Sequence, residues 1–248
     1  MLRAYGDGKV FGEQYGEGPV EVVWLHGWAR RAGDFDAVAT SLASSGVASV
    51  ALDLPGFGAS PAPSQAGGAR HYAALVAPAI AGLVESPVVL VGHSFGGRVA
   101  TVLAAERPDL VRAVVLTGTP LLRGASVAQS PRYRLIRRLD RWGVVSERRM
   151  EAARQRYGSG DYRRASGVMR DVLVAMVNEG YEGELTRIGV PVWLVWGALD
   201  TEVPVTVAQR AQRLLTSGSS LRVLDGVSHF VPTEAPDALG AAVREALA

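Results

Sequence analysis

The sequence predicts an α/β fold with a mostly parallel central sheet and helices on both of its faces. Short runs rich in Val and Leu recur along the 248 residues, and segments of helical length separate them. The runs are continuously apolar rather than alternating, which is typical of strands buried on both faces of a parallel sheet. A composition of 48% hydrophobic and 20% charged residues excludes a disordered chain. The absence of Cys excludes disulfides, thiol nucleophiles and Cys-metal sites.

The predicted elements begin with a hairpin and continue as alternating strands and helices. Leu2–Tyr5 and Val10–Tyr15 form the hairpin, because the Gly-Asp-Gly segment between them supplies turn residues. The predicted buried strands are Val20–Leu25, Val47–Leu52, Val88–Val91, Ala113–Leu116, Val192–Trp196 and Leu221–Leu224. The predicted helices are Ala69–Val84, Phe95–Glu106, Val205–Leu215 and Glu234–Leu247.

The alternation stops between Pro120 and Gly189, an interval too long for a plain crossover loop. We predict a helical lid over residues 120–189 and a core made of residues 1–119 and 190–248. Such a lid is expected over the carboxyl edge of the sheet, where open α/β sheets bind ligands.

The predicted lid is strongly basic. Residues 121–170 hold 13 Arg and four acidic residues, a net charge of +9 against +2 for the whole chain. Four arginines share one face of a predicted helix, at i, i+3, i+4 and i+7: Arg134, Arg137, Arg138 and Arg141. This stripe suits an anionic substrate or an acidic partner, and it equally suits a solvated helix face. Nucleic acid fits poorly, since aromatic residues that would stack on bases are sparse.

The segment from Gly92 to Gly96 reads Gly-His-Ser-Phe-Gly, a G-x-S-x-G motif between a predicted strand and a predicted helix. In that context the motif indicates a nucleophile elbow, a tight turn that presents a hydroxyl at a helix N-terminus. The flanking glycines remove side chains that would collide in such a turn. Ser94 is therefore the predicted nucleophile.

A serine nucleophile needs a general base and an acid that orients the base. Asp200 follows the strand that ends at Trp196, and His229 follows the strand that ends at Leu224. Both are therefore expected at the same sheet edge as Ser94. The order Ser, Asp, His is the order that this motif requires.

Other histidines and acids compete for these roles on weaker grounds: His26, His71, His93, Asp53 and Asp225. His93 precedes the nucleophile within the elbow, so it is expected to point away from the hydroxyl and to pack or hydrogen-bond in the core. His26 is expected to brace the loop after its strand, and His71 to lie at the surface. Asp53 lies in a turn where carboxylates accept backbone N–H groups. Asp225 also follows a strand and stays the rival of Asp200.

Two backbone N–H groups are predicted to stabilise an oxyanion. The Phe95 amide follows the nucleophile at the helix N-terminus, and the Trp28 amide lies in the turn after the strand at Val20–Leu25. The side chains of Trp28, Phe95 and Phe230 are the predicted lining of the substrate pocket.

With five motifs in this order, the chain is identified as a member of the α/β-hydrolase superfamily over nearly its whole length outside the lid. The matching segments are His26-Gly27-Trp28, Asp53-Leu54-Pro55-Gly56-Phe57-Gly58-Ala59-Ser60, Gly92-His93-Ser94-Phe95-Gly96-Gly97, Gly197-Ala198-Leu199-Asp200 and Ser228-His229-Phe230. The superfamily implies Ser94, Asp200 and His229 as the triad, and Trp28 and Phe95 as oxyanion amides. An elbow serine disfavours the haloalkane dehalogenases and epoxide hydrolases, which have Asp there.

Several motifs also resemble those of the carboxylesterases of biotin synthesis, which cleave the methyl ester of pimeloyl-acyl carrier protein. In those esterases lid arginines serve the carrier. The elbow departs from that group, because Gly-His-Ser-Phe-Gly-Gly is the pattern of many general esterases and related hydrolases.

The expected function is hydrolysis of a small-molecule carboxylic ester or thioester through an acyl-enzyme on Ser94, without a metal or organic cofactor. An anionic or carrier-linked acyl group is the expected substrate, and an acidic acyl-carrier protein is a candidate partner of the lid. A carbon–carbon bond hydrolase, an amidase, a receptor-like binding protein and a protein that assembles through its lid stay open. No signal peptide or membrane-length apolar run is found, so a cytoplasmic location is expected.

Overall fold

The computed structural model describes residues 2–124, 146, 148–149 and 160–248. Eight strands form one sheet in the order β1-β2-β4-β3-β5-β6-β7-β8. Strand β2 pairs antiparallel with both β1 and β4, and all the other pairs are parallel. The predicted α/β class and mostly parallel sheet are confirmed.

The strands are β1 (Leu2–Tyr5), β2 (Val10–Tyr15), β3 (Val20–Leu25), β4 (Ala48–Asp53), β5 (Val88–His93), β6 (Val111–Thr117), β7 (Val192–Gly197) and β8 (Ser219–Leu224). Strands β4 and β5 are buried at every residue, as their continuous apolar sequences predict. The prediction of a fully buried strand is wrong for β8, where Val223 is 42% exposed. Strand β8 lies beside β7 at the edge of the sheet that the described residues form, so neighbouring elements do not cover it fully.

The described helices are α1 (Asp36–Ala43), α2 (Ala69–Leu83), α3 (Phe95–Glu106), α4 (Gly160–Arg164), α5 (Gly167–Asn178), α6 (Glu182–Arg187), α7 (Val205–Gln212), α8 (Val231–Glu234) and α9 (Pro236–Leu247), with a 3-10 turn at Ala32–Phe35. Helix α1 is absent from the sequence prediction. The predicted C-terminal helix, Glu234–Leu247, begins two residues later as α9, because Pro236 suits the first helical position but not a helix interior, and Glu234 instead ends α8.

Two apolar cores cover the two faces of the sheet. One contains Tyr72 of α2, Val99 of α3 and Ala208 of α7. The other contains Leu42 of α1 and Val243 of α9. Helices therefore pack on both faces of the sheet. The loops that follow the parallel strands meet at the carboxyl edge, which the helices leave open.

Helices α4 to α6 belong to the predicted lid segment, and the described part of this segment contacts the core. The guanidinium of the buried Arg98, on α3, donates a hydrogen bond to the Met176 carbonyl of α5 at 2.6 Å. The Glu179 carboxylate accepts the Ala69 N–H at the start of α2 at 2.8 Å. Within the described ranges, no helix has both the length and the apolar character needed to cross a membrane.

Candidate active site

The G-x-S-x-G motif forms a strained turn between β5 and α3. Ser94 has φ 50° and ψ −108°, a conformation that L residues rarely adopt, and its N–H donates to the Thr117 carbonyl at 2.9 Å. A side chain at Gly96 would overlap the Leu25 carbonyl, and one at Gly92 would overlap Gly97. The turn therefore requires glycine on both sides of the serine, as the sequence predicts.

Asp200 and His229 form a buried hydrogen-bonded pair at the ends of β7 and β8. The Asp200 Oδ2 lies 2.8 Å from the His229 Nδ1, and both side chains are almost fully buried. The other carboxylate oxygen, Oδ1, accepts the N–H groups of Glu202 at 2.9 Å and Val203 at 2.7 Å. These two donors hold the carboxylate in the orientation that addresses the imidazole.

The pair lies beside the elbow. A Cβ atom at Gly118 would lie 2.8 Å from the Cε1 of His229, and Gly118 directly follows the residue whose carbonyl accepts the Ser94 N–H. No hydrogen bond joins the side chains of Ser94 and His229, both of which lie in described ranges. The free imidazole nitrogen, Nε2, lies 3.7 Å from the Oε2 of Glu202, an exposed carboxylate.

The loop after β3 packs on the elbow. The Gly96 N–H donates to the His26 carbonyl at 2.9 Å, and a Cβ atom at Gly27 would lie 3.4 Å from the Ser94 Cβ. Among the described residues, no acceptor is found for the backbone N–H of Trp28 or of Phe95. Two unpartnered donors therefore lie on the two loops that meet at the serine.

His26 and Asp53 brace the loops, in agreement with the sequence interpretation. The His26 Nδ1–H donates to the Gly27 carbonyl at 2.7 Å, and its Nε2 accepts the Leu54 N–H at 2.9 Å. Burial lowers the pKa of His26, which favours this neutral tautomer. Asp53 accepts the N–H groups of Ala32 at 2.7 Å and Ala59 at 2.8 Å.

His93 is a buried histidine that contacts the candidate base through the backbone. Its Nε2 lies 3.0 Å from the carbonyl oxygen of His229, so the ring carries its proton on Nε2 and donates it there. Its Nδ1 is buried, and the described residues offer it no hydrogen-bond partner. Burial, reinforced by the neighbouring His229, lowers the pKa of His93 to about 3. The ring is therefore neutral at ordinary pH.

An aromatic cluster lies beside the nucleophile. The Phe95 ring contacts Tyr72, with centroids 4.8 Å apart, and Trp28, with centroids 5.8 Å apart. Phe57 lies 5.0 Å from Trp28 between centroids. The Tyr72 hydroxyl lies 3.8 Å from the Sδ of Met169, which belongs to α5. Sequence reasoning selected Trp28 and Phe95 but missed the other three, although Phe57 lies inside a motif that it had singled out.

Phe230, the third predicted pocket residue, has different neighbours. Its ring lies 5.4 Å from the His229 ring and 6.1 Å from the His93 ring, between centroids. The guanidinium of Arg30 lies over the Phe230 ring, 5.2 Å from its centroid, and also pairs with Asp34 at 2.5 Å. Phe230 therefore packs around the histidines rather than with the aromatic cluster, and its role in a pocket stays a prediction.

The remaining candidates lie away from this centre or outside the described residues. Asp225 is exposed, whereas Asp200 is buried against the imidazole. His71 is half-buried on α2, and its ring faces Tyr72 at 6.5 Å between centroids. The predicted arginine stripe lies outside the described residues: Arg134, Arg137, Arg138 and Arg141.

Comparison with known proteins agrees with this architecture. The sequence is 41% identical over 111 residues to a pimeloyl-[acyl-carrier protein] methyl ester esterase of Chromobacterium violaceum, a match that covers 45% of this chain and 41% of that protein. The chain thus spans less than half the length of that relative. It is 30% identical over 266 residues to lipase LipV of Mycobacterium tuberculosis, covering 95% of this chain and 96% of the lipase.

Solved structures and the family profile extend the comparison to the whole chain. The crystal structure of a serine hydrolase involved in carbazole degradation, the CarC enzyme, superposes with a TM-score of 0.76 and 22% identity, covering 100% of this chain and 98% of that one. This likeness concerns the fold. The profile of the alpha/beta hydrolase family matches residues 22–242. This chain, with its eight-stranded sheet and its serine elbow, therefore belongs to the alpha/beta hydrolase family.

Proposed function

We propose that this protein is a serine hydrolase that cleaves a carboxylic ester or thioester through an acyl-enzyme on Ser94. The observation that carries the proposal is the buried Asp200–His229 hydrogen bond of 2.8 Å beside a serine at φ 50° on a nucleophile elbow. A strained serine and a carboxylate-oriented imidazole at one sheet edge are the two parts that acyl transfer requires.

In the first half of the reaction the Ser94 oxygen attacks the carbonyl carbon of the substrate while the Nε2 of His229 takes the hydroxyl proton. Asp200 holds the proton on Nδ1 and stabilises the imidazolium that forms. The tetrahedral intermediate collapses, the bond to the leaving alcohol or thiol breaks, and the imidazolium protonates the leaving group. In the second half a water molecule gives its proton to Nε2 and attacks the acyl carbon, which releases the acid and restores the serine.

The oxyanion of the intermediate is stabilised by the backbone N–H groups of Phe95 and Trp28. Two observations support this role. Neither N–H has an acceptor among the described residues, and the Gly96 N–H, next to Phe95, donates to the His26 carbonyl, two residues before Trp28, at 2.9 Å. Preorganised donors of this kind contribute roughly 10²–10³ in kcat each.

The acyl group is of modest size and apolar near the reacting carbon. The aromatic rings of Trp28, Phe57 and Phe95 lie within 5.0–6.3 Å of one another between centroids beside the serine. Large, rigid aromatic surfaces favour apolar groups. Met169 of α5, a described residue of the predicted lid segment, contacts this region through the Tyr72 hydroxyl at 3.8 Å.

The lid recruits an anionic or carrier-linked substrate through its arginine stripe. Support comes from the net charge of +9 over residues 121–170 and from the Chromobacterium violaceum relative, whose name specifies a carrier-linked ester. Replacing the stripe, Arg134, Arg137, Arg138 and Arg141, with Gln should raise KM for an acyl-carrier ester and reduce its salt dependence. The control replaces the exposed Arg210, on α7, and the exposed Arg213, which directly follows α7. Unchanged KM and salt dependence would exclude recruitment by the lid.

The decisive experiment is intact mass after incubation with a fluorophosphonate, for the wild type and Ser94→Ala, followed by p-nitrophenyl esters of graded chain length. A single adduct that is lost in Ser94→Ala, together with turnover that peaks at a short acyl length, is the expected result. An unlabelled wild type that binds esters without turnover would instead indicate a receptor-like binding protein on the hydrolase scaffold.

A further inference from the structure

The histidine that precedes the nucleophile touches the backbone of the candidate base. We propose that His93 is a positioning residue for His229, which it holds by donating its Nε2–H to the His229 carbonyl oxygen. The inference rests on the proposed function, in which His229 is the general base. It assigns His93 a role in catalysis exerted through another residue, without contact with the substrate.

The contact is short, buried and specific. The Nε2 to oxygen distance is 3.0 Å, and the two imidazole rings lie 4.9 Å apart between centroids. His93 is 2% exposed. Among the described residues, its imidazole is the one donor to the His229 carbonyl.

That carbonyl belongs to a loop that no strand ladder holds. His229 lies between β8 and α8. Backbone bonds hold the loop on either side of it, since the Val227 carbonyl accepts the Leu199 N–H and the Phe230 carbonyl accepts the Glu234 N–H, both at 2.9 Å. Among the described residues, no backbone N–H donates to the His229 carbonyl itself. Glu234 binds the preceding residue, since its carboxylate accepts the Ser228 N–H at 2.6 Å and the Ser228 hydroxyl at 2.5 Å. Asp200 binds the ring through Oδ2. Among the described residues, the bond from His93 is the hydrogen bond that holds the His229 carbonyl to the elbow.

His93 is itself held firmly. It is the last residue of β5, and a Cβ atom on Gly27 would lie 2.9 Å from its Nδ1. Because Ser94 is the next residue in the chain, the nucleophile and the carbonyl of its base are linked through a single side chain. A small displacement of a catalytic group costs much rate, since a shift of about 1 Å can cost roughly 100-fold.

The neutral state of His93 fits this role. Its pKa of about 3 leaves one ring proton, which the carbonyl partner assigns to Nε2. A neutral donor holds the loop without placing a second positive charge beside the imidazolium that forms on His229 during the reaction. This arrangement has an energetic cost, because Nδ1 is a buried acceptor that receives no hydrogen bond within the described part of the chain.

The test uses the reach of different side chains. The amide nitrogen of Gln lies four bonds from Cα, as Nε2 of His does, so His93→Gln keeps a donor near the carbonyl. The amide nitrogen of Asn lies three bonds from Cα, as Nδ1 does, so His93→Asn keeps polarity but loses the reach. His93→Met fills the space without a donor, and His71→Met is the control at a histidine outside the site.

Each variant is first shown to be folded by circular dichroism and its unfolding midpoint. Then kcat and KM for a p-nitrophenyl ester and the rate constant of fluorophosphonate labelling are measured. We expect His93→Met and His93→Asn to lose about 10- to 100-fold in kcat and labelling rate with little change in KM. His93→Gln should recover most of the loss, and His71→Met should match the wild type.

The outcomes separate this inference from the proposed function. Equal kcat and labelling for Gln, Asn and Met would show that His93 only fills space and would overturn the inference. A rise in KM with unchanged kcat would also overturn it, because a positioning residue acts on the chemical step. A wild type that is never labelled at Ser94 would overturn the serine mechanism, and the role of His93 with it.

Discussion

Replacing Asp200 with Asn tests the orientation of the imidazole, because the carboxylate serves two partners that an amide cannot both satisfy. Its Oδ1 accepts two backbone N–H groups, from Glu202 and Val203, while its Oδ2 faces the Nδ1 of His229. An Asn carbonyl that stays with the two N–H groups turns its NH₂ toward Nδ1. The imidazole must then carry its proton on Nε2, and it can no longer accept the proton of Ser94.

The hydrogen bonds of Asp200 determine how much kcat the Asp200→Asn variant should lose. The correct tautomer is restored only if the Asn side chain flips, which turns its NH₂ toward two N–H donors. Each buried donor left without an acceptor costs about 1–3 kcal/mol, so the flipped state costs about 2–6 kcal/mol. At about 1.4 kcal/mol per factor of ten, kcat should fall by roughly 30-fold to 20,000-fold.

The assay is kcat and kcat/KM for a p-nitrophenyl ester at saturating and limiting concentrations, with Asp225→Asn as the matched control. The control residue also follows a strand, but it is exposed and should keep the wild-type rate. Asp200→Asn within threefold of the wild type, or a loss in the control instead, would refute this reasoning. Circular dichroism of both variants excludes unfolding as the cause.

Three further predictions concern stability and specificity. Gly58 has φ +53°, and a Cβ atom there would overlap the buried carboxylate of Asp53. Gly58→Ala should therefore lower the free energy of unfolding, measured in urea, by about 1–3 kcal/mol, and by more than the control Gly46→Ala, which has φ +89° in open space. An equal loss in the two variants would mean that the overlap with Asp53 relaxes. Since burial lowers the pKa of His26, only the unfolded state takes up its proton as the pH falls below about 6.5, and stability is lost in that direction. Replacing it with Gln should flatten the slope of stability against pH just below pH 6.5 by up to about 1.4 kcal/mol per pH unit, and an unaltered slope in His26→Gln would contradict a neutral buried ring. Met169→Ala should shift the optimum p-nitrophenyl ester toward longer chains, and an unchanged optimum would exclude α5 from the acyl pocket.

Local sequence patterns predicted most of the elements, because they depend on short-range properties. Continuous apolar runs marked the central strands, and the hairpin Leu2–Tyr5 with Val10–Tyr15 matches the structure at every residue. The helix after the elbow also has the predicted bounds, Phe95–Glu106. Helix α1 escaped prediction because its apolar face is short, with only Val38, Ala39 and Leu42 buried.

In the candidate site, the sequence predicted the triad residues but not the residues that surround them. Motif order alone brought Ser94, Asp200 and His229 to one sheet edge, because the carboxyl ends of parallel strands lie together whatever the length of chain between them. Sequence could not decide which partners surround them, since contacts such as that between His93 and the His229 carbonyl join residues 136 positions apart.

The fold class, the order of the elements and the residue types at the carboxyl edge of the sheet therefore follow from local sequence patterns. Periodicity, turn residues and motif spacing are local properties, and they can be identified from the sequence without a structure. Three contacts became known from the fold alone. Asp200 rather than Asp225 faces the imidazole, Phe57, Tyr72 and Met169 lie with Trp28 and Phe95, and His93 contacts the His229 carbonyl. These contacts depend on how segments far apart in the sequence pack together. The pattern within one segment does not specify which distant side chain will contact that segment.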